Sequence, residues 1–157
     1  MFFHSCSLSI QFFELRFVYM NYWFRSNNNN NPQQLVSFDV IQIAMNSPDY
    51  LIINVLPIHE QDCLIRGTID AANEERILNK MIESIVIANK KIIIYGKNCN
   101  DEHVTHKLHQ LEKLGLTEVF LYRGGLFEWM LLQDIYGEKE FPTTKRELDI
   151  LRYKPRI

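Results

Sequence analysis

Two β-prone runs, Leu51 to Leu56 (LIINVL) and Lys91 to Gly96 (KIIIYG), constrain the fold more than anything else in the chain. A strand with one wet face alternates apolar and polar residues. A run without alternation suits a strand covered on both faces, as in a parallel sheet. Leu64 to Asp70 (LIRGTID) and Glu118 to Gly125 (EVFLYRGG) read as further strands, and a short extended piece opens at Leu35.

Helical patterns alternate with these runs. Asp39 reads as an N-cap before Val40, Ile43 and Ala44, and Pro48 follows that helix. A second helix sets Ile77, Met81, Ile82, Ile85 and Val86 on one face. A third carries Val104, Leu108 and Leu111 inward and ends at Gly115 as its C-cap. A fourth, strongly apolar helix spans LFEWMLLQDIYG, with Phe127, Trp129, Met130, Leu131 and Leu132. This order predicts an α/β domain: a mostly parallel central sheet of about five strands, flanked by helices on both faces.

A chain of 157 residues has room for one such domain. Seventeen basic residues against nineteen acidic ones leave a net charge of -2, which gives no electrostatic reason for a nucleic-acid partner. Cys6, Cys63 and Cys99 are widely spaced, odd in number and without a CxxC pair. That pattern argues against a disulfide framework and for a reducing, intracellular setting, with the cytoplasm as the expected location.

The first thirty-four residues read apart from the rest, as an extension ending in the Asn27 to Asn31 linker. The Phe-rich start has no basic opening or cleavage site of a signal peptide, and Glu14 and Arg16 interrupt it too early for a membrane span. A peripheral aromatic anchor stays open as an alternative to Met20 being the natural start.

In a parallel sheet, ligands sit beyond the carboxyl ends of the strands. The loop Gly96, Lys97, Asn98, Cys99, Asn100, Asp101 leaves the apolar run at Lys91 to Tyr95 and enters a helix, so it is the first candidate site. Cys99 near a helix N-terminus is the candidate nucleophile, although the neighbouring acids work against a thiolate. Asp101 reads as the N-cap of that helix, and Asp101 and Glu102 together repel an anion where the helix dipole would attract one. Lys97 is free to point to solvent. His103, His106 and His109 recur every third residue, yet His106 and His109 face away from the apolar stripe and nothing completes a tetrahedral metal set. No metal or other cofactor is expected. His59 and Glu60 follow the first apolar run as a candidate acid–base pair without a nucleophile, and read as loop residues. Cys63 reads as packing.

Several motifs in this order resemble the rhodanese-like domain, the sulfurtransferase fold shared with some cysteine phosphatases. Gly124, Gly125, Leu126 and Trp129 fit the family's strand, Gly-Gly, apolar residue and Trp. Ile65, Gly67, Thr68 and Ile69 fall where it has Ile-x-Gly-Ala-Ile, and LIINVL stands where a strand usually ends in Asp-x-Arg. The resemblance runs from Leu35 to Tyr136, so residues 35–137 are taken as the domain and 138–157 as an extension docked on it.

The resemblance places a nucleophilic Cys at the first position of the six-residue loop and often an Arg at the last. This chain has Gly96 and Asp101 there, Asn54 and Leu56 for the Asp-x-Arg pair, and Leu64 for a His. Without the thiol no persulfide forms at that position, and without the Arg nothing compensates an anionic substrate. The expected function is a catalytically inactive rhodanese-like domain that binds or regulates another protein, its oligomeric state open. The alternative is an active thiosulfate or persulfide sulfurtransferase using Cys99 as a displaced nucleophile, and a phosphatase ranks third. In the extension, Thr144 and Glu147 form a capping-box pattern, with Leu148 and Leu151 placed to dock the helix it would start.

Overall fold

The computed structural model describes residues 34–84 and 90–156, without the side chain of residue 34. The expectations for the N-terminal extension, for Cys6 and for Ile85 and Val86 lie outside the described residues. In chain order the elements are β1 (Gln34–Leu35), α1 (Phe38–Ala44), β2 (Tyr50–Asn54), α2 (Ala71–Glu83), β3 (Lys91–Tyr95), α3 (His103–Lys113), β4 (Val119–Tyr122) and α4 (Gly125–Tyr136). Two 3-10 turns, Ile58–Glu60 and Ile150–Tyr153, complete them.

The sheet is parallel throughout, in the order β1-β4-β3-β2. Ile93 of β3 pairs with Ile52 of β2 on one side and Phe120 of β4 on the other. Side chains of β3 alternate between two cores, as the period of a strand requires. Ile93 and Tyr95 join Ile41 and Ala44 of α1, Leu126, Trp129 and Met130 of α4, and Tyr153. Ile92 and Ile94 join Leu78 and Met81 of α2 and Val104, Leu108 and Leu111 of α3. Helices therefore cover both faces, and this explains why the β2 and β3 sequences show no polar alternation.

Trp129 is fully buried. Its indole N–H donates to the Pro142 carbonyl at 3.2 Å, and its ring meets Tyr122 and Phe141 edge-on at 6.4 and 5.0 Å. One side chain thus joins β4, α4 and the chain beyond α4. An exposed indole would leave this core hollow, a change that costs about 3–5 kcal/mol when Trp is cut to Ala.

Several expectations are corrected. Four strands are found among the described residues, not about five, and β1 has only two residues. The stretch from Leu64 to Asp70 is not a strand, because its N–H groups go to scattered partners. Ile65 donates to the Tyr95 hydroxyl, Arg66 to the Pro142 carbonyl, Thr68 back to Ile65, and Ile69 to Ile52. Gly67, with φ +85°, turns the chain between them. Asp70 instead caps α2, accepting the Ala72 N–H at 3.3 Å.

Asp39 is not the cap of α1; it lies in the first turn, and Ser37 holds the cap position. The buried residues of that helix are Ile41 and the expected Ala44, while Val40 and Ile43 are only partly buried. Ile82 is exposed, and Leu78 takes its place on the inner face of α2. The chain from Thr144 to Glu147 forms no helix, and Leu148 and Leu151 stay in solvent. Its inward anchor is Tyr153. Among the described residues no helix is long and apolar enough to cross a membrane.

Candidate functional site

β3 ends at Tyr95, and the loop Gly96–Asp101 carries the chain to α3 along the carboxyl edge of the sheet. Asp101 closes this loop on itself. One carboxylate oxygen, Oδ2, accepts the Lys97 N–H at 2.9 Å, and the other, Oδ1, accepts the His103 N–H at 3.1 Å. The second bond satisfies a donor of the first turn of α3, but the cap position is held by Glu102 and not, as expected, by Asp101. The first bond occupies the N–H next to Gly96. The carboxylate therefore takes two N–H groups, one at each end of the loop.

Gly96 has no room for a side chain. A Cβ at this position would lie 2.5 Å from Asp101 Oδ2 and 2.7 Å from Val104 Cγ2. Such contacts are far inside van der Waals range, so a β-carbon at residue 96 requires the Asp101 and Val104 side chains to shift.

The glycine pair after β4 supports the loop from below. Gly125 has φ +65°, and a Cβ there would meet the Gly96 carbonyl at 2.7 Å and the Asn98 N at 2.9 Å. Only a glycine allows α4 to start this close. The gain is visible in the hydrogen bonds: Leu126 N–H donates to the Gly96 carbonyl and Phe127 N–H to the Lys97 carbonyl, both at 3.0 Å. The free donors of the α4 N-terminus are thus spent on loop carbonyls.

Lys97 is not free in solvent, contrary to the expectation. Its ammonium lies 2.9 Å from both carboxylate oxygens of Glu60, on the turn after β2. The Lys97 hydrogen bond holds the Glu60 carboxyl below its ordinary range, against the opposing effect of burial. Glu60 is therefore committed to Lys97, and His59 beside it is exposed, so the two do not form an acid–base pair.

Asn98 is buried. Its Oδ1 accepts the Asn100 N–H at 3.0 Å, and its Nδ2 donates to the Tyr153 carbonyl at 2.8 Å. Cys99 points outward, with its thiol 3.6 Å from Asn100 Oδ1. Cys63 is buried, its Sγ donating to the Lys145 carbonyl at 2.9 Å, and burial pushes its thiol up. Asn54, at the end of β2, is buried and accepts the Leu56 N–H, closing a local turn. His103 pairs with Asp101 and His109 with Glu112, all three histidines of α3 being exposed. Among the described residues no group of three His, Cys, Asp or Glu is placed to hold a metal ion.

The structure thus brings Gly96, Lys97, Asn98, Asp101, Glu60 and Tyr153 together, and leaves Cys99 at the rim. Sequence reasoning missed Tyr153 and the Lys97–Glu60 pair. The partners are 55 and 37 residues apart in the chain, and no local pattern links them.

The family model of the rhodanese-like domain matches residues 38–132. The chain belongs to that family. Among solved structures, a Bacillus halodurans protein matches at 16% identity over 79% of this chain and 82% of its own, with a TM-score of 0.51. A Lactobacillus plantarum protein matches at 16% over 78% and 93%, with a TM-score of 0.50. A single-domain sulfurtransferase of Saccharomyces cerevisiae matches at 15% over 66% and 93%, with a TM-score of 0.48. Among curated proteins, nothing matches the chain.

Proposed function

We propose that this chain is a catalytically silent rhodanese-like domain that works as a protein-binding or regulatory module, using the Gly96–Asp101 edge or the C-terminal segment as its contact surface. One observation carries the reading: the Asp101 carboxylate holds the Lys97 and His103 N–H groups and stands against the site of any β-carbon at residue 96. Sulfur transfer in this fold needs a thiolate at the loop entrance and donors left open for an anion. Here the entrance is glycine, and those donors are taken by a side chain of the protein itself.

In this reading Gly96 to Asp101 is the equivalent of the active-site loop, residues 35–137 are the domain, and 138–157 are an extension upon it. No cofactor takes part, and no nucleic acid. Two free thiols, Cys63 and Cys99, accord with a reducing intracellular location.

The rival is sulfur transfer through Cys99, which is favoured only by the exposure of that thiol. Mass spectrometry of the loop peptide after thiosulfate treatment separates the two. The proposal expects Cys99 unmodified. A gain of one sulfur atom at Cys99, reversed by cyanide, would support the displaced nucleophile.

A further inference from the structure

The segment Ile150–Arg156 lies against the candidate loop. It joins no strand of the sheet. Its own backbone bonds are short-range: Arg152 N–H to the Asp149 carbonyl and Lys154 N–H to the Leu151 carbonyl. Two loop side chains reach out to its backbone, Asn98 Nδ2 to the Tyr153 carbonyl at 2.8 Å and Asn100 Nδ2 to the Arg156 carbonyl at 3.4 Å. Tyr153 alone goes fully inside, while Leu151, Arg152, Lys154 and Arg156 are exposed.

The Tyr153 ring packs in the core on the α4 side, and its rim lies under two cations. Lys97 Nζ is 5.8 Å and the Arg152 guanidinium 5.5 Å from the ring centre. Arg152 is held in turn by Glu147 at 3.6 Å. Lys97 is shared between this ring and Glu60, so the loop, the turn after β2 and this segment meet at one ammonium. The Tyr153 hydroxyl, like that of Tyr122, is buried without a hydrogen-bond partner from the protein. A plain core residue at this place would be Phe. An unpaired hydroxyl makes the buried state less favourable than the ring alone would give, and moves the balance toward release.

We infer that Ile150–Arg156 is an intramolecular strap, latched by Tyr153, that covers the Gly96–Asp101 edge and regulates access to it. The inference deepens the proposed function, since it names how the contact edge of a binding module is closed and opened. When Tyr153 leaves its pocket, the Asn98 amide and the Lys97 side chain lose their partners on the segment together. A protein that contacts this edge must displace the strap, and its binding energy is lowered by the cost of opening.

Hydrogen–deuterium exchange on the full chain, without any substrate, tests this in the wild type, Tyr153→Ala and Tyr153→Phe. In Tyr153→Ala, peptides covering 150–156 and 96–101 should both exchange about tenfold faster, with β2 unchanged. In Tyr153→Phe, which keeps the ring and removes the unpaired hydroxyl, both should slow together. The strap is overturned if segment exchange changes in either variant while loop exchange does not. It is also overturned if β2 accelerates with them in Tyr153→Ala and Tyr153→Phe leaves every rate at the wild-type value. Sulfur transfer by the wild type would overturn the silent reading and leave this exchange result standing, so the two failures are distinct.

Discussion

Asp101 Oδ2 lies 2.5 Å from the point where residue 96 would place a β-carbon, so the carboxylate and a nucleophile at the loop entrance compete for one space. The same oxygen accepts the Lys97 N–H at 2.9 Å. The carboxylate that accepts the Lys97 N–H is therefore also the group a side chain at residue 96 would meet first. Gly96→Ala should cost about 1–3 kcal/mol through overpacking. Combined with Asp101→Gly, the loss should fall short of the sum by about 0.5–3 kcal/mol, because the second change opens the space the first needs. Urea unfolding of the two single variants and the double variant measures this coupling. Simple additivity would mean that Val104, the other neighbour, sets the clash.

Gly125 makes the second close approach in the site. Gly125→Ala meets both a positive φ and the backbone of Gly96 and Asn98, neither of which can rotate away. Gly115→Ala, at the end of α3, meets a positive φ in open space. The backbone conformation alone accounts for about 1–2 kcal/mol, so Gly115→Ala should lose that much and Gly125→Ala clearly more. Equal losses, measured by denaturant midpoint, would show that the loop yields to α4.

The Lys97–Glu60 pair gives the stability a pH dependence of known sign. The folded Glu60 carboxyl is held below its ordinary value, mainly by the Lys97 hydrogen bond. The unfolded chain therefore takes up the proton first as pH falls. The contribution is fully present above the ordinary carboxylate value of 4.5 and is lost as pH drops through the folded value below it. Wild type and Glu60→Gln should differ in unfolding midpoint near pH 7 and converge as pH falls below the ordinary carboxylate value. A constant difference across that range would assign the effect to packing instead of charge.

Burial separates the two described thiols. Cys99 is exposed, whereas Cys63 is 1% exposed and donates to the Lys145 carbonyl. Iodoacetamide on the native protein, followed by peptide mapping, should label Cys99 within minutes and Cys63 only under denaturant, because the thiolate must form and be reached. Labelling of both at one rate would mean that the chain around Lys145 opens freely.

Much of this architecture is legible in the sequence, and the reason is local. The β2 and β3 runs lack alternation because both of their faces are buried, and the inner stripe of α3 is the periodicity of Val104, Leu108 and Leu111 made visible. Gly115 and the glycine pair before Trp129 mark places where the backbone has few choices. What escapes is non-local. Nothing near Lys97 announces Glu60, and nothing near Asn98 announces Tyr153. The TTKREL pattern has the residues of a capping box, yet the Thr143 hydroxyl donates to the Lys145 carbonyl and the Thr144 N–H to the Leu64 carbonyl. Tertiary partners there outweigh a helical propensity that few residues support. The loop at residue 96 lies between these cases. Its residues can be read one by one, but the Asp101 carboxylate standing against Gly96 is seen only in three dimensions.

Thiosulfate-to-cyanide sulfur transfer by the purified chain, beside Cys99→Ser, tests the central claim most directly. Asp101 in the cradle and Gly96 at its entrance predict no thiocyanate above the uncatalysed background from either protein. Turnover by the wild type that disappears in Cys99→Ser would contradict the account and return the loop to the enzymes of its family.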